Sequence, residues 1–460
     1  MDPVSPKPRK PRRIKWLILS AVAVLLIAAV ICFFVLDAAS RRIPAQIQAK
    51  IAALKQAGQP VTAEDLDKMY PALPDDQNSA LIYQKATNFS PLPLDHTNWP
   101  IVGASIVLFR SQSLAPAMKQ SIANYISQNQ RTLDSLHQAT TIEKGYYDLG
   151  LKDDFPMSVR PPLAAIRYQA QTLALTALLR AEENQPALVT QDILDLLGPP
   201  RSLERDPRLM SQTIRAAILG LSSYTLEFAL NHTAFTEDQL ESLAVALHKA
   251  ETVDGLKEAL IEERCQCIRL GQMFIMDPRA EDSTFTERIK DIYYRIRYYR
   301  KGDFIFYLDF MARFIAATDL PYPERLATAR QLSSKVEGSG FDHRAFGIFL
   351  RPSLKTFQNF AEACAHLRLA QTALAVERFR LANQNQLPPA LQNLTPTFLE
   401  SVPIDPFDGR PLRYKKLPQG YIIYSVGPDG VDDGGIGEPP YAVPSPTNAP
   451  PYDLIFKVER

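Results

Sequence analysis

Apolar residues fall into three regimes along this chain. Residues 16–36, WLILSAVAVLLIAAVICFFVL, are apolar throughout except for Ser20. From about 111 to 383 the apolar positions return every three or four residues, the period of helices that bury one face. Beyond about 387 that period is lost. Leu412 and Tyr414, then Tyr421, Ile423 and Ser425, alternate around Leu417-Pro418-Gln419-Gly420, the pattern of a hairpin over 411–426. Asp453-Leu454-Ile455-Phe456-Lys457-Val458 reads as a closing strand.

The helical period predicts helices over 114–138, 161–183, 186–197, 207–230, 237–250, 254–275, 286–299, 303–317, 323–335 and 354–383. Thr236 with Gln239 three residues on has the spacing of a capping box. Pro186 suits a first helical turn, and Gly198-Pro199-Pro200 reads as a stop. Short connections favour helical pairs, and the pairs 161–197 and 207–250 suggest a loose repeat without consensus residues. An irregular bundle and a short solenoid both satisfy that pattern.

The run at 16–36 would rise about 31 Å as a helix, close to the roughly 30 Å of a bilayer core. Before it stand Lys7, Arg9, Lys10, Arg12, Arg13 and Lys15, which keep the N-terminus cytoplasmic by the positive-inside rule. The run is longer than the h-region of a cleaved signal, so an uncleaved anchor with a periplasmic, extracytoplasmic body is expected. The lipid bilayer is then a partner through residues 16–36. Residues 43–57 read as a short amphipathic helix, and the stretch to about 100 is broken by six prolines, with only 77–87 helical.

These regimes give a mainly α chain in five parts. They are a basic tail (1–15), a transmembrane helix (16–36), a proline-broken lead-in (37–110), an α-helical domain (111–364) and a small α+β module with antiparallel strands (365–460). Fourteen of the 37 prolines lie between Pro388 and Pro451, which ends the long helices there. A net charge of +1 argues against a nucleic-acid partner, and 46% apolar with 22% charged residues is the balance of a folded chain. Cys32 falls in the apolar run, and Cys265, Cys267 and Cys364 lack the spacing of a disulfide framework or zinc site, so they read as small buried apolar residues.

Candidate chemistry concentrates near the C-terminus. Asp405-Pro406-Phe407-Asp408-Gly409-Arg410-Pro411 is followed by Tyr424-Ser425-Val426-Gly427-Pro428-Asp429-Gly430, with Asp432 and Asp433 before two more glycines. Asp429, Asp432 and Asp433 could give a hard cation its oxygens, or could cap backbone N–H groups in a solvated turn. With Ala373-Leu374-Ala375-Val376-Glu377-Arg378-Phe379 and Leu387-Pro388-Pro389 before them, these segments resemble the globular end of the major pseudopilins of type II secretion. The resemblance spans about 365–460. It implies a helix leading to a small antiparallel sheet, calcium in the Asp loop, and protein partners in pilus-like or secretion assemblies of the envelope. The chain has no glycine before Gly58 and no glutamate before Glu64, so processing as a prepilin is not expected.

Elsewhere catalytic signatures are lacking. His96, His137, His232, His248, His343 and His366 form no zinc pattern, and Gly338-Ser339-Gly340 lacks the setting of a nucleophile elbow. Glu258 and Glu262 share a helix face with Glu263 beside them, an arrangement open to acid–base chemistry but routine on solvated helices. The basic, aromatic run 288–301 suits an anionic surface or plain helix packing. A binding or scaffolding protein is therefore expected, with an envelope hydrolase or other enzyme sited in the helical body as the alternative. A third reading makes the C-terminal module only a structural cap.

Overall fold

The computed structural model describes residues 45–90, 110–148, 162–275, 301–337, 347–437 and 452–460, with scattered positions among 16–28 and 92–101. The expected membrane helix at 16–36 and the basic run at 288–301 lie largely outside the described residues. The expected helix 286–299 and Gly338-Ser339-Gly340 lie entirely outside them. No helix among the described residues is long and apolar enough to cross a membrane. The chain divides into two compact units, one of residues 1–59 and 269–309, the other of 60–268 and 310–460. In the first, a helix over 45–56 buries Ile47 and Ile51, one turn apart, and Lys50 pairs with Asp309.

The second unit is mainly helical. Its helices are α1 (Ala63–Met69), α2 (Ala80–Lys85), α3 (Pro116–Gln128), α4 (Gln130–Thr140), α5 (Leu163–Glu182), α6 (Pro186–Leu196), α7 (Gly198–Ser202), α8 (Leu209–His232) and α9 (Glu237–Glu251). Then come α10 (Leu256–Ile275), α11 (Lys301–Ala317), α12 (Tyr322–Glu337) and α13 (Gly347–Ala382), of which α10 and α11 begin or end in the other unit.

Three local features depart from the sequence reading. Thr62 and Asp65 close a reciprocal capping box that starts α1, inside a stretch expected to be irregular. The helix expected over 114–138 breaks at Asn129, whose amide donates to Tyr125 O and accepts from Ser90 N. Gly198-Pro199-Pro200 follows the end of α6 at Leu196 as expected, but it also opens the short α7, because proline fits a first turn. The box expected at Thr236 is present, with Gln239 Oε1 accepting from Thr236 N at 2.9 Å.

Helix α5 is buried on nearly all sides and packs against α6 and α8. Its buried glutamines and threonines hydrogen-bond to backbone carbonyls. Gln169 Nε2 donates to Tyr83 O and Ala86 O, both at 2.8 Å, closing the C-terminal turn of α2.

Helix α13 lies along α8 and α9, so helices far apart in sequence share one core. It runs unbroken through residues 364 and 365, where the sequence suggested a domain boundary, and the sheet belongs to the same compact unit. That sheet has three antiparallel strands in the order β1 (Arg413–Lys416), β2 (Tyr421–Ser425), β3 (Leu454–Val458). Tyr421 faces Val458 and Ser425 faces Leu454 across the β2–β3 ladder. All five residues of β2 are buried, and β2 and β3 pack on α13.

Candidate functional site

A cavity of about 410 Å³ opens among α4, α6, α7, α8 and α9. Its apolar wall is Leu194, Leu197, Pro200, Leu219 and Ala246, and its polar groups come from every one of these helices or the turns after them. Asp195, 3% exposed on the inner face of α6, organises one side. His137 Nδ1 meets Asp195 Oδ2 at 2.8 Å, Thr140 Oγ1 lies 2.8 Å from Oδ1, and Gln191 Nε2 donates to Oδ1 at 2.9 Å. Three partners thus fix one carboxylate. With Nδ1 engaged, the other nitrogen of the half-exposed His137 ring is left to act as donor or acceptor.

The other side is cationic. Arg201 Nη2 donates to Thr140 O at 2.5 Å, meeting a carbonyl at the end of α4. Arg215 is 3% exposed on α8 and donates to Ala250 O at 3.1 Å, in the last turn of α9, and to Val253 O at 2.8 Å, just beyond its end. Its Nε is buried without a partner. Burial pulls the Arg215 guanidinium below its ordinary pKa, against the pull of Glu204. Glu204 Oε1 stands 4.0 Å from Arg215 Nη2, and burial pushes its carboxyl up despite Arg215 and Arg201 nearby. Lys249 lines the cavity and pairs with Glu143 outside it.

Behind the cavity, one turn before Asp195, Asp192 is buried and accepts from Arg180 Nη1 at 2.5 Å. Burial pushes its carboxyl up to about 7, with Arg180 opposing. The two aspartates on the buried face of a largely apolar helix, PALVTQDILDL, are the signal in the sequence that could have located this site. Of its polar residues the sequence reading singled out only His137, as one of six scattered histidines.

The Asp loop has a different geometry. Asp429 Oδ1 accepts from Val431 N and Asp432 Oδ1 from Gly434 N, both at 3.0 Å, as in Asx turns. Asp453, absent from the expected ligand set, accepts from Gly435 N at 2.6 Å and Asp433 N at 3.3 Å. Arg413 supplies the positive charge. It donates to Asp405 Oδ2 at 2.6 Å, pairs with Asp408, and lies 3.6 Å from Asp432 Oδ2. Lys415 takes the Gly434 carbonyl at 2.5 Å. Asp433 Oδ2 is buried without a partner. Even so, no group of three or more acidic, histidine or cysteine side chains among the described residues is placed to share a metal ion.

The remaining candidates separate as well. Glu262 is buried, with its carboxyl pushed up to about 8 by burial and by Glu263, whereas Glu258 is exposed, so they form no matched pair. Cys265, Cys267 and Cys364 are buried, and none forms a disulfide among the described residues. Burial lowers His366 to about 4, and its Nε2 lies 3.1 Å from Tyr224 Oη between α13 and α8. Comparisons of the chain with protein-family models, with curated proteins and with solved structures give no match.

Proposed function

We infer that this chain is a membrane-anchored, extracytoplasmic binding protein of the cell envelope that holds a small ligand in the α4–α9 cavity. The observation that carries the reading is the cavity itself, where polar groups from five helices, Asp195 and Arg215 buried among them, converge on an apolar-walled space of about 410 Å³. The apolar run at 16–36 behind a basic tail supports the anchor and the orientation. Packing of α13 against both α8 and α9 supports an irregular bundle over a solenoid, in which each repeat touches only its neighbours. The pseudopilin-like order of motifs supports company with secretion or pilus-like assemblies.

The test is native mass spectrometry of the full-length protein in detergent. A co-purifying small molecule is expected in wild type. It should be lost in Thr141→Trp, which blocks the mouth at an exposed position. An empty wild type under ligand-preserving conditions would sink the reading. A C-terminal phosphatase fusion active only outside the cytoplasm would support the orientation.

A second reading, hydrolysis, draws on His137 alone. Its Nδ1 is held by a buried carboxylate, which would leave Nε2 able to take a proton from water. Cleavage of p-nitrophenyl acetate or phosphate by wild type, abolished in His137→Gln, would support it.

A further inference from the structure

We propose that the cavity selects small molecules carrying a phosphate or carboxylate group, held by Arg215, Arg201 and Lys249; this rests on the binding reading above. The charges lining the cavity do not cancel. Asp195 is already satisfied by His137, Thr140 and Gln191, so it has little left to offer Arg215 and Arg201, while Lys249 has its own partner in Glu143 outside the cavity. Glu204 is the other lining carboxylate, and it is a poor counter-ion. It reaches no closer than 4.0 Å to Arg215. Arg215 meanwhile is a charge taken almost wholly out of water, with two of its nitrogens on carbonyl oxygens and its Nε on nothing. A buried cation without a close anion is costly unless an anion completes it. A guanidinium has the fork geometry that matches phosphate and carboxylate oxygens. Arg201 lines the same space within reach of water, and Lys249, whose pair with Glu143 is exposed and weak, can turn in to help clamp such a group.

The structural alternative is that Arg215 serves only to tie off the end of α9. Glu204 separates the two ideas. If Arg215 is purely structural, Glu204 is its nearest acidic partner and removing it gains nothing. If the cavity awaits an anion, Glu204 competes with that anion, and its removal strengthens binding.

The experiment is calorimetric titration of the full-length, detergent-solubilised protein with inorganic phosphate and, separately, succinate, against sodium chloride at matched ionic strength. Saturable binding of one or both is expected, and the stronger arm identifies the headgroup. Glu204→Gln should tighten binding several-fold and Lys249→Met should weaken it about tenfold, both with unchanged folding by circular dichroism. No saturable binding of either anion, or affinities unmoved by both substitutions, would overturn the proposal. A neutral molecule found in the cavity by mass spectrometry would overturn it while leaving the binding reading intact.

Discussion

Glu227 Oε1 accepts the backbone N–H of Lys457 at 2.8 Å, so a buried carboxylate on α8 closes the outer edge of β3. Asn231, one turn on, donates to Lys457 O at 2.9 Å and accepts from Glu459 N at 2.7 Å. Arg460 then reaches Glu377 on α13 at 2.6 Å. Side chains of the bundle thus complete the sheet where a fourth strand would otherwise pair. The sheet in turn covers α13 with Tyr421, Ile423 and Phe456. Deleting residues 387–460 is therefore expected to abolish cooperative unfolding of the whole helical body, read by circular dichroism and limited proteolysis. A truncated body that melts cooperatively near the wild-type temperature would show the module to be separable.

Arg413 joins the Asp405–Asp408 turn to the Asp loop, pairing with Asp405 and Asp408 and lying 3.6 Å from Asp432 Oδ2. Asp405 is wholly buried, and its carboxylate also accepts from Phe407 N, Val426 N and Ser425 Oγ. Removing the guanidinium leaves that carboxylate uncompensated, a loss of about 3 kcal/mol. Arg413→Gln is expected to show this in urea unfolding, while a chelator or added calcium leaves the wild-type melting temperature unchanged. A chelator that lowers the wild-type melting temperature would restore the ion to the loop.

The helices were legible because each carries its own signal: a 3.6-residue apolar period, a capping box at Thr236, a proline at the start of α6. The strands were legible from alternation around Pro418-Gln419-Gly420. The cavity was not, because His137, Asp195, Arg201, Arg215 and Lys249 meet only through packing among helices spread over more than a hundred residues, and none lies in a local motif. The partnership of α13 with α8 and α9 was hidden for the same reason, since periodicity states that a helix has a buried face and not which helix covers it. Asp loops are conspicuous in sequence, but the arginine that neutralises this one comes from a neighbouring strand.

Two buried carboxyls should govern the pH dependence of stability. Asp192 is raised to about 7 and Glu262 to about 8, both chiefly by burial. Their values in the unfolded chain are about 3.9 and 4.3. The folded state holds both protons longer, so the stability they contribute is lost as pH rises from about 4 through 8. His366, depressed to about 4 by burial, acts oppositely, losing stability as pH falls from about 6.5 to 4. Two groups outweigh one. Wild type is expected to lose on the order of 1 kcal/mol per pH unit between about pH 5.5 and 7.5. Urea titrations at several pH values measure the slope. In the double variant Asp192→Asn, Glu262→Gln the slope should reverse below about pH 6.5, where His366 acts alone. An unchanged slope would show that these carboxyls do not titrate in this range.

Gly420 and Gly430 both have positive φ, +83° and +73°, yet they should respond differently to alanine. At Gly430 a Cβ would meet nothing within 4 Å, so only the left-handed backbone opposes the change, at about 1 kcal/mol. At Gly420 the Cβ would stand 1.8 Å from Val458 O, the residue paired with Tyr421 at the end of the β2–β3 ladder. Backbone must move there, and the motion pulls β3 away from Glu227 and Asn231 on α8. Gly420→Ala is expected to cost about 3 kcal/mol or more, with exchange of the Lys457 and Glu459 amides accelerated first. Equal costs at the two glycines would mean that the hairpin end is not pressed against β3, and that the seam between sheet and bundle tolerates displacement.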